Sequence, residues 1–221
     1  MKPLIDAGQV HLWWAFLDVS DEWFRALAAL LSEEETARAG RFVSDLHKRY
    51  YTASRGMLRL LLGDYLAIPP GAVEIARNQK GKPYLKGAGR EASLCFNLSH
   101  SRGAAMFGFC ADRRIGVDVE RVDPARNPEK LARRFFRPKE VQEMMAAPDS
   151  SRHEWFFRYW TMKEAYLKAT GDGIGRLGDI EVVAETRGGW RVRDAATGCG
   201  KNWTVSPISV QAGYAGDVAF D

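Results

Sequence analysis

Cysteine and histidine are both scarce: three and four respectively in 221 residues. Cys95, Cys110 and Cys199 are scattered, with no CxxC pair and no histidine cluster, which excludes a zinc site of the usual ligand spacing. Cys95 and Cys110 lie in apolar, strand-like runs and are expected as buried free thiols of a reducing compartment rather than as a disulfide. No apolar run approaches the roughly 20 residues of a membrane span, and the N-terminus lacks an apolar segment of signal-peptide form. The expected setting is therefore cytoplasmic, without a membrane partner. Charge of one sign is lacking too. Thirty-two basic against 28 acidic residues leave +4, far from a nucleic-acid-binding tail but suited to acidic or phosphorylated partners.

What is present suits a globular protein. An apolar content of 46% with 27% charged residues supports one large core or two small ones side by side. Val10–Val19 has the form of a buried strand, and Asp21 is placed to cap a helix carrying Phe24, Leu27, Leu30 and Leu31 at helical spacing. Helices are expected after Ser32 and over Leu46–Leu66, the latter stopped by Ile68-Pro69-Pro70-Gly71. Strands follow near 73–76, 93–98, 104–110 and 115–122. Further helices begin near Pro128, Pro138 and Ser151, and strands near 180–184, 190–193, 203–208 and 214–220 close the chain. A long helix followed by antiparallel-type strands in each half predicts an α+β fold of two similar lobes, 1–112 and 113–221.

The run Ile115-Gly116-Val117-Asp118-Val119-Glu120 places Asp118 and Glu120 on one face of a strand. Two adjacent carboxylates repel unless a cation compensates, and magnesium suits one or two carboxylates with substrate phosphates and water. Taken alone, the pair equally suits a solvated face balanced by Arg121 or Arg113. On the helix that follows, Phe156, Phe157, Trp160 and Leu167 form an apolar stripe with Glu164 one turn after Trp160. A carboxylate there is costly unless paired or metal-bound, although Glu164 and Lys168 also fit an ordinary i,i+4 pair. Lys80-Gly81-Lys82-Pro83, with Arg77 upstream, sets cations on a tight turn. Asn97 and Ser99 share a strand face, with His100 at the strand end, where an imidazole near a diphosphate would be held cationic. A solvated turn and a polar strand end remain the alternatives for these two pieces. A hydrolase pair of Ser99 and His100 is excluded, because no strand-turn-helix elbow surrounds the serine.

Together, KGKPYL at 80–85, FNLSHS at 96–101, IGVDVE at 115–120 and RYWTMKEAYLKATGDG at 158–173 resemble the phosphopantetheinyl transferase superfamily, in its larger single-chain branch typified by the surfactin synthetase activating enzyme. A looser match is ARAGRFV at 37–43. The resemblance implies two lobes related by a pseudo-twofold axis, with coenzyme A in the cleft between them. It implies Asp118, Glu120 and Glu164 as magnesium ligands, Lys163 and Lys168 facing the phosphates, and His100 facing the diphosphate. Lys80, Lys82 and Ser99 would meet the nucleotide, and Asn97 would be a further coenzyme A contact. Arg38 looks like the contact to the 3′-phosphate. Some members have a second basic residue three positions earlier, where this chain has Glu35, and Arg77 is the candidate substitute. Glu164 is the first candidate for general base and Glu120 the second. The implied partner is an acidic acyl or peptidyl carrier protein, serving fatty-acid, polyketide or peptide synthesis, and the implied state is a monomer. A magnesium-dependent phosphohydrolase and a coenzyme A or carrier-protein binding module are the rival readings.

Overall fold

Serine hydroxyls start the first three helices. In the computed structural model, which describes residues 5–86, 94–185, 189–195 and 203–221, helix α1 (Asp21–Ala28) begins behind Ser20, α2 (Glu33–Ala39) behind Ser32 and α3 (Asp45–Leu66) behind Ser44. Each hydroxyl accepts a backbone N–H that the first turn would otherwise leave unpaired. The cap of α1 is therefore Ser20; Asp21, expected in that role, is the first helical residue, where its charge suits the helix dipole. Asn127 caps α4 (Pro128–Phe135), and α5 (Pro138–Ala146) and α6 (Arg152–Thr170) follow.

The strands form two larger antiparallel sheets and a hairpin. Strands β1 (Val10–Phe16), β4 (Leu94–Ser101) and β5 (Ala104–Ala111) lie in the order β1-β5-β4, while β2 (Ile75–Arg77) and β3 (Pro83–Leu85) pair with each other. The second sheet takes β6 (Ile115–Arg121), β7 (Ile180–Ala184), β8 (Trp190–Asp194), β9 (Thr204–Pro207) and β10 (Tyr214–Phe220) in the order β6-β10-β9-β8-β7. The fold is α+β, and each half sets one long helix against a sheet. Leu58 and Leu62 of α3 pack with Phe107 and Phe109, whereas Phe156, Tyr159 and Tyr166 of α6 pack with Val182, Val192 and Val205. Cys95 and Cys110 are free thiols; Cys199 lies outside the described residues.

Two features bring the halves together. Met106 and Cys110 of β5 share an apolar cluster with Ile115, Val117, Val119 and Val218, so one continuous core underlies the 112–114 turn. The outer edge of β6 is not paired by a backbone ladder with β4. Instead the Asn97 amide oxygen and the Ser99 and Ser101 hydroxyls accept the N–H groups of Val117, Val119 and Arg121 at 2.9, 3.3 and 3.2 Å. Alternate β4 side chains thus seal alternate β6 amides, as a period of two requires. On the face away from this cluster, Gly116 lies beneath α6, where any Cβ would overlap the Ala165 carbonyl and the Ala169 amide. That approach sets α6 directly over the side chains of Asp118 and Glu120.

Candidate active site

The floor of the site is acidic. Asp118, only 2% exposed, receives hydrogen bonds at one oxygen from the Ser99 hydroxyl (2.8 Å) and the Lys168 ammonium (2.6 Å). Its second oxygen, Oδ2, is buried with no hydrogen-bond partner among the described residues. Glu120 accepts from Ser101 at 2.7 Å. Burial, and then the Asp118 charge, hold the Glu120 carboxyl above its ordinary pKa. From α6, Thr161, Glu164 and Lys168 project along one helical stripe. Burial first, then Asp118 and Glu120, push Glu164 up to about 7 against the opposing pull of Lys168. No hydrogen bond from the described residues holds the Glu164 carboxyl.

A fourth carboxylate joins them. Asp217 stands opposite Asp118 in the β10–β6 register and accepts from Thr161 Oγ1 at 2.5 Å, and its other oxygen also has no partner among the described residues. Burial, with the neighbouring Asp118, drives its pKa well above the usual carboxylate range. Sequence reasoning missed Asp217; the available signal was an acid in the middle of the otherwise apolar 214–220 strand.

Three of these four carboxyls are pushed toward protonation despite the opposing charges of Lys168, Arg126 and Arg158, so the site favours an added cation. Hard oxygen donors with an orphaned Oδ2 fit a magnesium ion. Among the described residues no three acidic or imidazole side chains cage an ion by themselves. A metal here would thus complete its shell with water and substrate oxygens, as magnesium commonly does.

The walls are cationic. A cleft of about 460 Å³ opens above Lys168, lined by Arg38, Arg55, Arg77, Lys80, Lys82 and His100 among others. His100 opens to this cleft. Loss of water around its ring, followed by the charges of Lys168, Arg55 and His47, lowers its pKa and biases the imidazole toward neutrality. Lys80 reaches across to Asp172 at 2.7 Å. Lys82 donates to the carbonyls of Ile115 (3.0 Å) and Ala169 (2.6 Å), and burial lowers its pKa to about 8. Arg77 donates to the Gly81 carbonyl.

Three of the expected contacts are arranged differently from the sequence expectation. Lys163 is not brought to the cleft: fully buried, it pairs with Glu140 at 2.5 Å, donates to the Leu177 carbonyl and sits over the Phe136 ring. Asn97 serves the β4–β6 seam while its residue borders the cleft. Ser99 joins Lys168, Asp118 and the Val119 amide in one network. Arg55 and Tyr51 line the cleft without having been singled out in the sequence.

Such a cleft, cationic above and acidic below, is the outline of an enzyme site suited to a phosphorylated ligand. Residues 114–219 match the family described as the 4′-phosphopantetheinyl transferase superfamily, and residues 16–107 match the 4′-phosphopantetheinyl transferase N-terminal family. The chain is 47% identical over 177 residues to the 4′-phosphopantetheinyl transferase HetI of Nostoc sp., covering 80% of this chain and 75% of that protein. On these matches the chain belongs to the 4′-phosphopantetheinyl transferase superfamily. It is also 32% identical to the 4′-phosphopantetheinyl transferase psf-1 of Bacillus pumilus, across 67% of this chain. A 32% identity to the L-aminoadipate-semialdehyde dehydrogenase-phosphopantetheinyl transferase of Xenopus laevis covers 70% of it. The chain spans 61% and 53% of the length of these two relatives. A crystal structure of a holo-(acyl-carrier-protein) synthase from Bacillus anthracis in complex with CoA (3′,5′-ADP) resembles 48% of the chain, at 24% identity and a TM-score of 0.39. No described helix is long and apolar enough to cross a membrane.

Proposed function

We propose that this chain moves the 4′-phosphopantetheine arm of coenzyme A to a serine hydroxyl of an apo acyl or peptidyl carrier protein, with coenzyme A lying between lobes 1–112 and 113–221. The observation that carries this reading is the juxtaposition of a cation-lined cleft with the partnerless oxygen of Asp118 and the unbound carboxyl of Glu164. Asp118, Glu120 and Glu164 would hold magnesium. Bound there, the ion would offset diphosphate charge and polarise the bond to the leaving group.

The chain's own groups supply the rest. Lys168, fixed by Asp118 and Ser99, presents its remaining donor to a phosphate oxygen, and His100 gains a proton as a diphosphate replaces water beside it. The serine oxygen forms a bond to the β-phosphorus, and the bond from that phosphorus to the bridging oxygen breaks. The serine proton passes to Glu164, whose pKa near neutrality suits a general base, and 3′,5′-ADP leaves with the electron pair of the broken bond. Glu120 is the second candidate for that proton. The carrier would be acidic, the enzyme a monomer and the setting cytoplasmic.

Intact-mass measurement of candidate apo carrier proteins, incubated with coenzyme A and magnesium, tests the reading. The expected result is a gain of one phosphopantetheine. Release of 3′,5′-ADP without any carrier would favour a phosphohydrolase, and coenzyme A binding without either product would leave a binding module.

A further inference from the structure

The face that β10 turns toward α6 carries an acid between two alanines. Along the β6–β10 ladder Gly116 lies opposite Ala219, Asp118 opposite Asp217 and Glu120 opposite Ala215. Ala219 belongs to the apolar cluster beneath the helix, and Ala215 packs against it. Asp217 is only 2% exposed, as Asp118 is. A carboxylate in such a place is costly unless its oxygens are satisfied. Thr161 accounts for Oδ2. Oδ1 is buried and has no partner among the described residues, and the Lys168 ammonium goes to Asp118 instead.

The carboxylate across the ladder has the same deficit. Asp118 spends Oδ1 on Ser99 and Lys168, and its Oδ2 is the buried oxygen without a partner among the described residues. Side chains directly opposite in an antiparallel pair have Cβ atoms about 4.5–5.5 Å apart. Ionised carboxylates only accept hydrogen bonds, so neither oxygen serves the other. A metal ion with its bound water meets both needs. The ion takes one oxygen directly, and the water donates to the next. Direct ligation by a fourth carboxylate is disfavoured, because magnesium is commonly held through one or two carboxylates and keeps several waters.

We propose that Asp217 is an outer-sphere residue of the magnesium centre, its Oδ1 accepting a hydrogen bond from a water on the ion that Asp118 holds. The inference rests on the magnesium-dependent transfer reading and adds to it a residue that acts through the water. Asp217 is thus a positioning residue. It orients that water and brings negative charge close to the ion without occupying a coordination position. Its strand contributes none of the three carboxylates assigned as ligands.

Calorimetric titration of the intact protein with magnesium, in the presence of saturating coenzyme A, tests the proposal. Asp217→Ala should weaken magnesium binding by about tenfold or more, the usual cost of losing an outer-shell partner. Without metal, its denaturant midpoint should hold or rise. The variant removes a buried carboxylate facing Asp118, and Thr161 keeps the Phe157 carbonyl as acceptor. A residue that merely ties α6 to β10 predicts the reverse, a lower midpoint with magnesium affinity within about twofold of wild type. That pattern would overturn the proposal. If Asp217→Ala does not fold, Asp217→Val, closer in volume and suited to a strand, decides on the same tenfold expectation.

Manganese in place of magnesium separates the outer-sphere role from direct ligation. Water-proton relaxation reports the waters on the ion, and wild type and variant should carry equal numbers. One additional water in the variant would make Asp217 a direct ligand and overturn its outer-sphere role. A wild type that takes up neither ion beside coenzyme A would sink the metal-dependent reading itself. Wild-type binding with unchanged affinity in the variant would sink only the role of Asp217.

Discussion

The two lobes hold opposite charges by opposite means. In the N-terminal half, Arg38, Arg55, Arg77, Lys80 and His100 stand on helix, turn and strand ends around a cleft, and only some of them have partners. In the C-terminal half, Asp118, Glu164 and Asp217 sit deep between α6 and the β6–β10 pair, with two carboxylate oxygens that have no hydrogen-bond partner among the described residues. Cations can wait in a wet cleft at little cost because water solvates them. Carboxylates buried side by side respond by shifting toward protonation, as Glu164 and Asp217 both do. The lesson is that the cationic wall and the acidic floor come mainly from different halves, joined at Ser99, where the Lys168 ammonium and the Asp118 carboxylate meet one hydroxyl, and at the Lys80–Asp172 pair. A ligand bearing phosphates and a divalent cation satisfies both halves at once.

The sharpest break of this picture concerns a cation buried on the wrong side. Lys163→Met leaves Glu140 without its ammonium partner, although Glu140 keeps the amides of Arg137 and Val182. Unfolding by denaturant should show a loss of about 3–5 kcal/mol, while turnover per folded molecule stays within about threefold of wild type. A collapse of turnover with stability intact would return Lys163 to the phosphates. Next in size, Glu164→Gln should depress kcat by about 10²-fold or more under saturating magnesium. Coenzyme A affinity by calorimetry should hold, because the cationic wall is untouched. Near-normal kcat would pass the base to Glu120.

The smallest effect lies where an N-terminal cation crosses to the C-terminal half. Lys82 has a folded-state pKa of about 8, below its ordinary 10.5, because burial disfavours its charge. Between those values the unfolded chain keeps a proton that the folded chain has released. Stability should therefore rise with pH through about 8 to 10.5, by at most about 3 kcal/mol and less where solvent reaches the amine. Denaturant midpoints measured across that window should slope upward in the wild type and flatten in Lys82→Met. An equal slope in both would show that the amine is not desolvated as its two carbonyl partners imply.

Local grammar made most of the elements legible. Ser32 before an acidic first turn, the Pro-Pro-Gly stop and the alternation in 115–120 each act over a few residues, and the strands at 180–184 and 214–220 fall where their apolar runs lie. The alternation also placed Asp118 and Glu120 on one face, which the approach of α6 over Gly116 makes the working face. Partners distant in sequence were less legible. Lys163 and Lys168 lie on one helix, and only the packing of α5 tells which of them meets Glu140. Asp217 becomes part of the site through a strand order that no local pattern contains. Glu35, to be expected as a surface residue of an acidic first turn, is instead the buried anchor of two arginines twenty and twenty-four positions away.

The side-chain seam between β4 and β6 limits how this sequence can drift. Hairpins usually tolerate a lost or gained residue, yet the two-residue connection at Arg102-Gly103 fixes which β4 side chains face β6. Shifting β4 by one position would turn Asn97, Ser99 and Ser101 away together, stripping three amides of their acceptors and Asp118 and Glu120 of their hydroxyl donors. Length is thus frozen here more tightly than composition. A short side chain able to accept an N–H suffices at 97, whereas 99 and 101 must also give a proton to Asp118 and Glu120, which confines both to a hydroxyl.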